Sequence, residues 1–268
     1  MARLPVADGR SIYYEHHAGS GLPVMLIHGW GMSCRVWDTT LTALKRAGHE
    51  VISFDQRCCG MSDKDFATTS VASSAQDAAQ LVRHLGKSRI VVNGWSLGGA
   101  IAVATAALLG ESCAGVVLTA GATPRYTQAD GFPYGGPAGA ASQSVAALRA
   151  DRANFLMALT KGVCAEPQSP AVEQWLWSIF MQAAPAADDA LADLDELDQR
   201  ATLKALGVPV LSIVGARDVI VPADIGRFAA SIAKQGRVAE FAQSGHAPFI
   251  EEGPRYREVL LDFLGSVR

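Results

Sequence analysis

Residues 89–109 read RIVVNGWSLGGAIAVATAALL. The first five favour an extended, buried strand, Gly94-Trp95-Ser96-Leu97-Gly98 spells G-x-S-x-G, and the Ala-rich apolar run from Ala100 predicts a helix. The spelling has a steric origin. A chain that turns sharply from strand to helix holds the intervening serine in a strained backbone conformation, its hydroxyl clear of the sheet edge, and side chains at Gly94 and Gly98 would collide there. The helix that follows aims its unpaired N–H groups and the positive end of its dipole at whatever charge develops near Ser96.

Working outward, residues 4–18 predict a hairpin about Asp8-Gly9, with Ile12, Tyr13 and Tyr14 as strand formers. VMLI (24–27) is a short apolar strand ending in His28-Gly29-Trp30-Gly31. Residues 36–47 have helical spacing, VISF (51–54) runs as a strand into Asp55-Gln56-Arg57, and 71–85 predict a helix. GVVLT (115–119) is a further strand. Strands that are apolar throughout, alternating with helices, predict a parallel sheet covered on both faces. Ligand-binding loops of such sheets gather at the carboxyl ends of the strands, where His28, Gly29, Trp30, Asp55, Ser96 and Gly121 fall.

From about residue 121 to 203 the alternation breaks. GFPYGGPAG (131–139) is irregular, and the helical pieces 145–159, 172–181 and 188–206 contain no strand. VPVLSIVGARD (208–218) resumes the pattern, followed by a helix over 223–234, a strand over 238–241 and a last helix over 256–263. The expected fold class is α/β: a mostly parallel central sheet flanked by helices, with core residues 1–121 and 206–268 interrupted by a helical lid at 122–205.

The 268 residues, 49% hydrophobic and 18% charged, suffice for a sizeable core. A net charge of −3 gives no electrostatic reason to bind nucleic acid or an anionic membrane. The N-terminal residues lack the apolar core of a signal peptide, and the longest apolar run (100–109) is far too short to span a bilayer. Five cysteines (Cys34, Cys58, Cys59, Cys113, Cys164) without framework spacing predict free thiols in a reducing compartment, so a soluble, cytoplasmic protein is expected. No second pair or nearby histidine completes a ligand set around Cys58-Cys59, and no metal or cofactor is expected.

A serine hydroxyl is a poor nucleophile at neutral pH and needs a base, commonly an imidazole, itself oriented by a carboxylate. In a strand–turn–helix setting the partners are expected downstream, acid first and histidine second. Of six histidines only His246 follows Ser96, on a loop past a strand and between Gly245 and the Ala247-Pro248 step. Of the aspartates between them, Asp130 is in the Gly-rich loop, Asp151 and those from 188 to 198 are in the insertion, and Asp224 opens a helix. Asp218, just past the strand 210–214, is the one placed like Ser96 and His246. The backbone N–H groups of Leu97 and Trp30 are the expected oxyanion donors.

HGWG (28–31), DQR..GMSDK (55–64), GWSLGG (94–99), GARDVIVP (215–222) and GHAPFIEE (245–252) together resemble the α/β-hydrolase family over nearly the whole core. The first, third and last are most similar to pimeloyl-acyl-carrier-protein methyl ester esterases. The 55–64 segment is more similar to cofactor-free haloperoxidase-type esterases and lactonases. One departure is Cys58, where relatives usually carry glycine after the arginine.

The resemblance implies a serine esterase of carboxylesterase type, acting on a small-molecule ester through an acyl-enzyme. A lactonase or perhydrolase would share every one of these residues; a carbon–carbon bond hydrolase and a low-turnover ligand receptor on the same fold also remain open. In the insertion, Phe155, Met157, Trp175, Trp177, Phe180 and Met181 could form an apolar pocket, with Phe155, Trp175 and Trp177 the candidates to touch substrate beside Trp30 and Phe249, or simply glue the lid to the core at helical spacing. The acidic run 188–198 is expected to be a solvated helix face.

Overall fold

The computed structural model describes residues 2–6 and 9–267; Asp8, one of the two expected hairpin turn residues, lies outside them. In chain order the strands are β1 (Ala2–Pro5), β2 (Ser11–His17), β3 (Gly21–Ile27), β4 (His49–Phe54), β5 (Ile90–Trp95), β6 (Cys113–Thr119), β7 (Val210–Gly215) and β8 (Gly236–Phe241). They form one eight-stranded sheet in the order β1-β2-β4-β3-β5-β6-β7-β8. β1 and β2 pair antiparallel, β2 joins β4 antiparallel, and every pairing from β4 to β8 is parallel.

The apolar strands behave as their composition requires. Val24, Met25, Leu26 and Ile27 of β3 have no exposed surface, nor do Ile90, Val91 and Val92 of β5. Both faces of these strands are therefore covered. The covering helices are α1 (Asp38–Arg46), α2 (Val71–His84) and α3 (Leu97–Leu109) in the first part of the chain. In α2, Ser70 and Ser73 cap the amino end reciprocally, side chain to backbone in both directions.

Between β6 and β7 the chain adds no strand to the sheet and instead forms α4 (Ala140–Ala150), α5 (Arg152–Gly162), α6 (Pro170–Phe180), α7 (Asp188–Ala192) and α8 (Arg200–Ala205). After β7 come α9 (Ala223–Ile232), α10 (Pro248–Glu251) and α11 (Gly253–Ser266). The expected helix over 145–159 is two helices. Asp151 breaks it, leaving α-helical geometry at φ −150° and accepting a hydrogen bond from the Asn154 N–H at the start of α5.

The acidic run is a solvated face only in part: Asp189, Glu196 and Asp198 are exposed, while the other three carboxylates are engaged by the protein. Asp188 is fully buried with Arg152 at 3.1 Å. Asp193 accepts from the Val71 N–H at the amino end of α2 (2.9 Å), tying the insertion to the core. Asp195 accepts from Ala141 and Ser142 N–H at the amino end of α4, at 2.9 and 2.8 Å. Each of these last two carboxylates answers unpaired N–H groups and the positive dipole end of a helix that sequence does not place beside it. Among the described residues no helix is long and apolar enough to cross a membrane.

Candidate active site

At the end of β5, Ser96 sits at φ 56° and ψ −123°, a region that side-chain-bearing residues rarely occupy. Neighbours on both sides hold it there. Its N–H donates to the Thr119 carbonyl of β6, and its own carbonyl accepts from Gly99 and Ala122 N–H, at 3.1, 2.8 and 2.9 Å. The flanking glycines have no alternative. A Cβ on Gly94 would stand 1.9 Å from the Gly98 carbonyl oxygen, and one on Gly98 would stand 2.5 Å from that of Ile27. Leu97, the first residue of α3, carries one of the N–H groups that an α-helix leaves without an internal partner.

Two loops at the same sheet edge bring the other residues in. Asp218, past β7, places Oδ2 2.7 Å from Nδ1 of His246, which lies past β8. Both side chains are all but inaccessible, 1% and 3% exposed. Oδ1 of Asp218 accepts from the Ile220 and Val221 N–H groups at 2.8 and 2.9 Å, so the carboxylate cannot swing away. A carboxylate acceptor at Nδ1 puts the imidazole proton on that nitrogen and leaves Nε2 with its lone pair.

The histidine loop is held as well. Its N–H donates to the Val163 carbonyl at 2.9 Å, and the Gly245 N–H donates to Glu251 Oε2 at 2.8 Å. The other Glu251 oxygen accepts from Ala165 N–H at 2.6 Å, which ties the insertion to the same loop. Burial pushes the Glu251 carboxyl above the ordinary range against the pull of these donors.

His28 shapes the loop that carries Trp30. Its Nε2 accepts from the Gln56 N–H at 2.9 Å, so the proton resides on Nδ1, 2.7 Å from the Gly29 carbonyl oxygen. Burial holds the ring's pKa below its ordinary value, which keeps this arrangement neutral. Asp55 joins the two neighbouring loops, accepting from Cys34 and Met61 N–H at 2.7 Å each. Next to it, the buried Arg57 forms a two-pronged pair with Asp77 at 2.7 and 2.8 Å. Cys58 takes φ 64°, a left-handed backbone conformation that glycine adopts without strain.

Ser96 and His246 line one cavity of about 90 Å³, together with Gly29, Trp30, Trp95, Tyr126, Ala141, Ser144, Phe155, Leu159, Val163, Phe180, Leu191 and Ile220. Of the five residues expected to touch substrate, Trp30 and Phe155 are on its wall. Trp175, Trp177 and Phe249 are not. The first two pack half-buried against the core, and Phe249 lies behind the site against Trp37 and Trp95, with ring centroids at 4.8 and 5.1 Å. Phe180, also among the apolar residues of the insertion, is on the wall too, whereas Tyr126, Leu159, Val163, Leu191 and Ile220 line it without having been singled out from the sequence.

A serine at a forced bend before a helix, with an acid–histidine pair at the same sheet edge, defines the nucleophile-elbow class of α/β proteins. Over residues 23–253 the sequence matches the model of the alpha/beta hydrolase fold family. The chain therefore belongs to that family, as a hydrolase of the carboxylesterase type.

A non-heme haloperoxidase of Rhodococcus erythropolis is 28% identical over 275 residues, 99% of this chain and 100% of the relative. A pimeloyl-[acyl-carrier protein] methyl ester esterase of Vibrio cholerae is 28% identical over 257 residues, 93% of this chain and 97% of its own. These are the two kinds of relative that the motifs resemble. The solved esterase EaEST from Exiguobacterium antarcticum superposes with a TM-score of 0.94 at 26% identity, covering 98% of this chain and 99% of that one.

Proposed function

We propose that the protein hydrolyses small, mainly apolar carboxylic esters through an acyl-enzyme on Ser96. His246 Nε2 takes the hydroxyl proton as Ser96 attacks the ester carbonyl, and returns it to the departing alcohol. Asp218 orients the ring and stabilises its charged form. The N–H groups of Leu97 and Trp30 hold the oxyanion, with the dipole of α3 behind the first. Water then opens the acyl-enzyme by the same relay in reverse.

The observation that carries this reading is the buried Asp218–His246 pair at 2.7 Å, its imidazole on the wall of the cavity that also holds Ser96. The cavity's size supports a small substrate: about 90 Å³ is well under the roughly 300–1,000 Å³ usual for larger ligands. Its walls are chiefly Trp, Phe, Leu, Val and Ile side chains. Residues 122–205 act as a cap over the strand ends, with Trp30 Nε1 donating to Ala187 at 3.0 Å across the join. The five free, buried thiols support a reducing, cytoplasmic location.

The test is labelling by a fluorophosphonate probe together with a chain-length series of p-nitrophenyl esters. Wild type is expected to label and to favour short acyl chains, and Ser96→Ala to lose labelling and roughly four to six orders of magnitude of turnover. Near-normal hydrolysis by that variant refutes the acyl-enzyme.

A further inference from the structure

Within the cavity nearly every polar side chain is already committed. Ser96 and His246 are reserved for the proposed chemistry, and the indole N–H groups of Trp30 and Trp95 donate to the carbonyls of Ala187 and His246. Ser144 donates back to the Ala140 carbonyl at 3.0 Å. Tyr126 remains. Among the described residues its hydroxyl makes no hydrogen bond, although it is near enough to Asp218 and Asp195 to feel both charges.

Asp218 does not take it up, since one carboxylate oxygen receives two backbone N–H groups and the other the imidazole. Burial, then these two carboxylates, push the Tyr126 pKa up, so at neutral pH the group is a donor. Its backbone is fixed in place: the Tyr126 carbonyl accepts from Gly136 N–H, and a side chain on Gly135 would stand 2.1 Å from that oxygen. Tyr126 is half-buried on an otherwise apolar wall, so its hydroxyl, left to solvent in the free protein, is desolvated when a ligand enters and gains most from an acceptor the ligand carries in.

We propose that the Tyr126 hydroxyl is a specificity-determining group that hydrogen-bonds an oxygen in the enclosed acyl part of the substrate. The preferred esters then carry an ether, keto or hydroxy oxygen beyond the scissile carbonyl, on an otherwise apolar short chain. This rests on the acyl-enzyme reading above.

The test compares p-nitrophenyl esters in isosteric pairs, methoxyacetate with butanoate and levulinate with isocaproate, on wild type and Tyr126→Phe. Both members of a pair carry the same nitrophenyl leaving group, so only the acyl part distinguishes them. Comparing ratios between the two enzymes cancels the intrinsic reactivity of each ester and any general damage. The expected result is that Tyr126→Phe lowers the oxygenated-to-alkyl ratio of kcat/KM roughly tenfold for at least one pair, while its melting temperature stays close to wild type. The same oxygenated-to-alkyl ratio in both enzymes for both pairs overturns the proposal. Hydrolysis that persists in Ser96→Ala is a different failure, that of the acyl-enzyme itself, and this inference falls with it.

Discussion

Trp95, the residue immediately before Ser96, donates its indole N–H to the carbonyl oxygen of His246 at 2.8 Å, and the two rings lie 5.5 Å apart. The end of β5 and the loop after β8 are far apart along the chain, and this bond fixes one against the other. It acts on the histidine's backbone, where the Asp218 contact acts on its ring.

Trp95→Phe keeps an aromatic ring against Phe249 but leaves the His246 carbonyl without its donor. The expected cost is about 1–2 kcal/mol of stability and roughly tenfold in kcat with KM little changed, because a loosened base affects proton transfer more than binding. Steady-state kinetics on a p-nitrophenyl ester, paired with urea unfolding, measures both. A variant that is destabilised yet turns over at the wild-type rate removes the bond from any positioning role.

The core was legible because its signals are local. Apolar strands and the collisions that force glycine at positions 94 and 98 act over a few residues, and the chain order of Ser96, Asp218 and His246 left a single histidine to consider. The cavity wall was not. Trp175 and Trp177 have the composition of pocket residues, but helix packing decides which way a side chain points, and α6 turns both away from the space that its neighbour Phe180 reaches. Tyr126 lies in an irregular segment with no periodicity to assign it a face. The acidic run misled for the same reason: Asp193 and Asp195 look solvated until the amino ends of α2 and α4 are placed beside them.

Cys58 and Cys59 are adjacent, free and buried, yet substitution should separate them. Cys58 holds φ 64° at a cost of about 1–2 kcal/mol to a residue with a side chain. In Cys58→Gly the relief of that strain offsets the lost packing of the thiol against the Lys64 carbonyl, and stability stays within about 1 kcal/mol of wild type. Cys59→Gly has no such strain to relieve and loses about 2 kcal/mol through the buried thiol and the freer unfolded chain. Cys58→Val, β-branched at a positive φ, should cost more than either. Urea midpoints of the three variants decide it, and equal losses at the two glycine substitutions would exclude strain at residue 58.

His28 makes stability depend on pH with a definite sign. Folded, its Nε2 must accept from the Gln56 N–H, and burial holds the ring's pKa below the usual histidine value. The unfolded chain carries an ordinary histidine that gains a proton below about pH 6.5. In that range the unfolded state binds the extra proton, so stability falls as pH falls, by up to about 1.4 kcal/mol per pH unit, until the folded ring itself titrates. Above that range the neutral ring is common to both states and this contribution is complete. In His28→Gln a side-chain carbonyl can take the place of Nε2 without titrating. That variant should be less stable at neutral pH but lose less on acidification between about pH 7 and pH 5. The difference between the two urea-midpoint profiles isolates His28 from carboxylates such as Glu251, which are common to both proteins. Parallel profiles, or a wild type that gains stability on acidification relative to the variant, would show that the ring is not held neutral beneath the Trp30 loop.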